Sequence, residues 1–126
     1  MESRKTEAAE KKRSGQYNCA QAVLCTYRDK AGIDDATAQA LGGAFAVGMG
    51  TMEGSCGALV GAGIVLGLAS GDRNVARQRM RKVMTQFHQR NGATQCKLLK
   101  GVGTGKVLRE CPDCVADAAE FLEQQL

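Results

Sequence analysis

Six cysteines, at positions 19, 25, 56, 96, 111 and 114, are the side chains of this 126-residue chain best suited to chemistry. A cysteine acts through its thiolate, which attacks disulfides and ligates soft metals. The chain reads as cytoplasmic, a compartment in which thiols stay reduced and serve structure only as small hydrophobes, so six are more than packing requires. Cys56, Cys96 and Cys111 also fall at predicted helix N-termini, where unpaired N–H groups and the helix dipole favour the thiolate.

Two kinds of site fit this pattern. In one, two thiols cycle between dithiol and disulfide, one attacking and the other resolving the mixed disulfide. In the other, four thiolates hold zinc, copper(I) or an iron–sulfur cluster without catalysis. Lys97, Lys100, Lys106 and Arg109 flank Cys96 and Cys111 and would serve either, by lowering thiol pKa values or by offsetting ligand charge. A structural module with incidental cysteines is the third reading.

Other motifs carry less. "CPDC" has dithiol spacing at a helix start, but no strand precedes it as a thioredoxin-like site requires, so Cys111 is favoured over Cys114. His88, the single histidine, reads as a partly exposed structural residue. "GVGTGK" at 101–106 lacks the spacing of a phosphate loop.

The elements that must position the cysteines are helical; no alternating strand pattern or internal repeat is present. A first helix is predicted from Glu2 to Lys30, with Tyr17, Ala20, Val23, Leu24 and Tyr27 inward and Gly32 ending it. Cys25 lies about 120° around that helix from Cys19, so the two thiols do not meet. A second helix begins at "DDATAQ" and loosens into a glycine-containing loop.

The central helix, predicted from Ser55 to Ala69, carries Gly57/Gly61 and Gly63/Gly67, two small-residue pairs that let a neighbour approach closely. A fourth helix, capped by Asp72, turns Ala76, Met80, Val83, Met84 and Phe87 inward and Arg73, Arg77 and Arg81 outward. A short turn capped by Thr94 follows. The last helix opens at "CPDC" and runs through Leu126.

These add up to an all-α, single-domain bundle of about five helices around the glycine-rich one, spanning 1–126. Residues 73–109 hold ten Lys/Arg and no Asp or Glu, but base-stacking aromatics are missing and the charges read as a solvated face rather than a nucleic-acid site. Residues 54–71 carry no charge, yet their six glycines and two serines favour a buried helix over a membrane span. Small-residue faces also suggest a homodimer.

"NCAQAVL" around Cys19, "CGALVG" from Cys56 to Gly61, "CKLL" at Cys96 and "VADAAEFLE" after Cys111 together resemble the C_GCAxxG_C_C family, from about Gly15 to Glu123. The resemblance implies a redox role for Cys19, Cys56, Cys96 and Cys111, leaves Cys25 and Cys114 as extras, and suggests association with a transporter, beside which members are often encoded. It names neither metal nor redox partner. Cys56, at the charge-free helix start, is expected to be the most acidic thiol and the attacker, with Cys111 or Cys96 resolving.

Overall fold

A computed structural model describes residues 1–126. The architecture is all-α, without strands, but it contains nine helical segments rather than about five. The difference arises where local capping interrupts long amphipathic patterns.

The first predicted helix is three. α1 (Lys5–Arg13) ends at a turn through Gly15, which has φ +78°. Asn18 then starts α2 (Cys19–Thr26) with a capping box: its side-chain oxygen accepts from Gln21 N at 2.7 Å, while Gln21 Oε1 accepts from Asn18 N at 3.0 Å. Tyr27 departs from helical geometry before α3 (Arg28–Ala31), which Gly32 closes in the left-handed conformation, as predicted. Asp34 caps α4 (Asp35–Gly42) by accepting from Thr37 N at 2.7 Å.

Beyond α4 the chain makes a wide turn at Gly48–Met52, in which Met52 N donates to the Val47 carbonyl five residues back. α5 (Gly57–Ser70) is the predicted central helix. Asp72 caps α6 (Arg73–Asn91) through Asn74 N and Val75 N. Val83 and Phe87 of α6 are buried, Met80 and Met84 pack against the core, and Arg73, Arg77 and Arg81 are exposed.

α7 (Cys96–Lys100) begins after Gln95, and no side chain caps it; the hydroxyl of Thr94 does not fill that role. Instead the Thr94 carbonyl accepts from Cys56 N at 2.8 Å, and Cys96 N donates to Gly54 O at 3.0 Å, tying the starts of α5 and α7 together. α8 (Cys111–Glu123) carries Pro112 in its first turn and stops three residues short of Leu126.

α5 packs against α2, α6 and α8 within one apolar cluster that includes Leu59, Val65, Leu66, Phe87, Val115 and Leu122. No helix is long and apolar enough to cross a membrane. The two glycine pairs of α5 behave differently. A Cβ on Gly57 would lie 2.5 Å from the Phe45 carbonyl oxygen and 3.3 Å from Cys19 Cβ; one on Gly61 would lie 2.8 Å from the Ala20 carbonyl oxygen. Hydrogen at these positions is what lets α2 lie directly on α5. Gly63 makes only an ordinary contact with Met80, and nothing stands near Gly67, so the second pair supports no close approach. The Gly57/Gly61 face, one of those that suggest self-association in the sequence, is occupied by α2.

Candidate functional site

Five of the six cysteines line one cavity of about 90 Å³: Cys19, Cys56, Cys96, Cys111 and Cys114. The helix starts put them there. Cys19, Cys96 and Cys111 are the first residues of α2, α7 and α8, and Cys56 caps α5. Three of these starts are legible in the sequence; that of Cys19 is hidden inside the long first helix. Cys114 follows Cys111 by one helical turn and so faces the same way.

Cations close the polar side of the cavity. Lys100 and Arg109 line it as predicted, whereas Lys97 pairs with Glu53 at 3.7 Å and Lys106 is exposed on the following loop. The third lining cation is Lys12, which the sequence does not flag because it lies far along the chain from Lys100 and Arg109. It arrives by the docking of α1 on α8. Arg4 N donates to Glu123 Oε2 at 2.6 Å, and Lys5 pairs with Glu120 at 2.7 Å.

The thiols shift one another's acidity. The Cys111 thiol is held down at about 6, chiefly by the neighbouring Cys19 thiol; Lys100 and Lys12 add to the effect and burial opposes it. Cys19 is correspondingly pushed up, first by Cys111 and then by burial. In the same way the neighbouring Cys114 thiol lowers Cys56 against its own burial, with the N–H groups of Ala58 and Leu59 contributing. Cys114 is raised by Cys56 and by desolvation. The Cys114 thiol donates to the Arg109 carbonyl oxygen at 3.7 Å.

Access separates the two lowered thiols. Cys56 is 5% exposed, whereas Cys111 is only half-buried. Cys96 departs from the expectation for a helix start: burial raises its pKa, with Lys100 only partly opposing, and no hydrogen bond supports the thiolate. α7 has five residues, too few to build a substantial dipole.

Cys25 lies apart, buried between α2 and the charges of Asp35, Lys11 and Arg28, with its thiol pushed up to about 11 chiefly by desolvation. His88 is exposed and does not line the cavity. No three or more His, Cys, Asp or Glu side chains are arranged to hold a metal ion.

The loop over the cavity is strained. Gly48 packs so closely on Cys96 that a Cβ there would lie 2.6 Å from Cys96 Cβ. On either side, Val47 and Met49 adopt left-handed conformations with φ of 54° and 64°, as does Met52 at 65°. Each such residue costs about 1–3 kcal/mol, and the β-branch makes Val47 the least suited of the three.

The all-α fold gathers five thiols and three cations around one small cavity. The profile of the C_GCAxxG_C_C family, described as "Putative redox-active protein", matches residues 17–125, and the chain belongs to that family. Comparisons with curated proteins and with solved structures gave no match.

Proposed function

We propose that this protein is a cytoplasmic thiol–disulfide oxidoreductase of one domain whose outer pair, Cys111 and Cys19, exchanges with disulfides of small molecules or proteins. The observation that carries this reading is the half-buried, acidic Cys111 thiol, which shares with Cys19 a cavity bearing Lys12 and Lys100. The sequence alone points to Cys56 as attacker; burial of Cys56 favours Cys111, which is both acidic and reachable.

Attack by the Cys111 thiolate on a disulfide RSSR forms a Cys111–SR bond and releases RS⁻. That thiolate takes the proton of Cys19. The Cys19 sulfur then attacks Cys111 Sγ, closing the Cys19–Cys111 disulfide and expelling the second RS⁻, which is protonated by solvent. Two electrons pass from the protein to RSSR, and the reverse sequence reduces the pair.

Anaerobic titration of the reduced protein with oxidised glutathione, followed by acid quench and peptide mapping, tests this. The expected first product is the Cys19–Cys111 disulfide, reached through a glutathione adduct on Cys111. A first disulfide between other cysteines, or the absence of any redox midpoint, overturns the proposal.

A further inference from the structure

Cys56 and Cys114 are left over from that reaction, yet both face the same cavity and both are buried, at 5% and 2% exposure. We infer that they form an inner dithiol, loaded by exchange with the outer pair, so that the site stores two disulfides rather than one. This rests on the role proposed for Cys19 and Cys111.

Three features of the packing support the inner pair. Cys114 lies one turn beyond Cys111 on α8, so its side chain shares the cavity-facing side of that helix. Cys56 is fixed from the opposite side by the hydrogen bond from its N–H to the Thr94 carbonyl oxygen, at 2.8 Å, and by the close seat of Gly57 on α2. Both side chains line the same cavity, Cys56 from the start of α5 and Cys114 from the first turn of α8. Cys96 also lines the cavity, from the start of the five-residue α7.

Burial dictates the order of events. A bulky oxidant reaches Cys111 but not Cys56 or Cys114, so the inner pair is oxidised from within. The Cys56 thiolate attacks Cys111 Sγ of the outer disulfide, forming a Cys56–Cys111 bond and releasing Cys19 as thiolate. Cys19 takes the proton of Cys114. The Cys114 sulfur then attacks Cys56 Sγ, and Cys111 leaves as a thiolate. The outer pair ends reduced, the inner pair ends oxidised, and no external reductant or proton is consumed. A second disulfide substrate can then be reduced at the outer pair.

The full chain, equilibrated anaerobically in glutathione buffers of rising oxidised fraction, quenched in acid, unfolded and alkylated, reads the inference directly. The expected course is loss of two alkylatable thiols and then of four, with peptide maps showing Cys19–Cys111 and Cys56–Cys114 linkages in the final species. Cys114→Ser and Cys114→Ala should both stop at two. In Cys111→Ser, oxidised glutathione should form the Cys56–Cys114 link at least about tenfold more slowly than in the parent.

A parent protein that never loses more than two thiols overturns the inner pair while leaving the outer reaction standing, provided that the two are Cys19 and Cys111. Linkage of Cys56 to a cysteine other than Cys114 in the final species, or undiminished inner oxidation in Cys111→Ser, overturns it as well. Mapping of the unaltered chain decides the matter even if a variant fails to fold.

Discussion

Arg109 grips the carboxylate of Asp117 with two hydrogen bonds, Nε to Oδ2 at 2.9 Å and Nη2 to Oδ1 at 3.2 Å. The contact holds the stretch before α8 against the helix itself, and Arg109 is thereby kept at the cavity wall. Asp117 is 3% exposed and also receives Arg90 Nη1 at 3.0 Å and Asn91 Nδ2 at 3.1 Å, so one carboxylate ties α6, α8 and the loop between α7 and α8.

Asp117→Ala should therefore destabilise the fold by about 2–3 kcal/mol, less than a fully buried pair would cost because both guanidiniums keep solvent contact. Denaturant unfolding of the reduced protein would show the drop in midpoint. Arg109→Lys, which keeps the charge but loses the paired geometry, should cost less than half as much.

The reactivity of Cys111 should follow its thiolate. Its rate of alkylation is expected to rise through pH about 6 and to level off above it, because the deprotonated form is the nucleophile and its pKa lies below the ordinary thiol range. Below that point the rate should fall about tenfold per pH unit. Cys19→Ala, which removes the largest support, should move the profile to higher pH by more than Lys100→Ala or Lys12→Ala. Site-resolved mass spectrometry after short iodoacetamide pulses measures each profile, and a flat or unshifted profile would remove the case for a Cys19-supported thiolate.

Single methyl groups on α5 should have opposite effects. Gly61→Ala drives a Cβ to 2.8 Å from the backbone of Ala20 and should destabilise by about 1–3 kcal/mol as α2 is pushed away. Gly67→Ala meets open space on the same helix and should stabilise by up to about 1 kcal/mol through helix propensity. Thermal unfolding of the two variants side by side provides the comparison.

Cys25 should be silent. Its thiol is 1% exposed and raised to about 11, so in the native protein it should alkylate far more slowly than Cys111. Cys25→Ala should leave the disulfide midpoint of the protein where it was; a shift would mean that the cavity is coupled to the far end of α2.

Much of this arrangement is legible in the chain. The all-α class, the caps at Gly32 and Asp72, the proline-led start of α8 and the gathering role of Gly57 and Gly61 follow from local rules that the fold obeys. The break before α2 escapes a periodicity argument because Tyr17, Ala20, Val23 and Leu24 keep a helical period across it. Its sign is the spacing of Asn18 and Gln21, a capping box within an otherwise continuous pattern. That box places Cys19 at a helix start with the other three.

The absence of a strand before "CPDC" argues against Cys114 only for a thioredoxin-like fold, which this is not. Here the same spacing puts both sulfurs on one face of α8. Lys12 leaves no local signal at all, since only the docking of α1 on α8 brings it to the cavity. The raised pKa of Cys96 is equally hidden, because it depends on how deeply tertiary packing buries the sulfur.

The left-handed run around Val47 and Met49 bears on how firmly Cys96 is covered. A segment held in such torsions by its surroundings relaxes when displaced, and that release offsets part of the cost of lifting Gly48 off Cys96. The cover over this sulfur is thus spring-loaded: displacing it takes less work than its packing alone would demand.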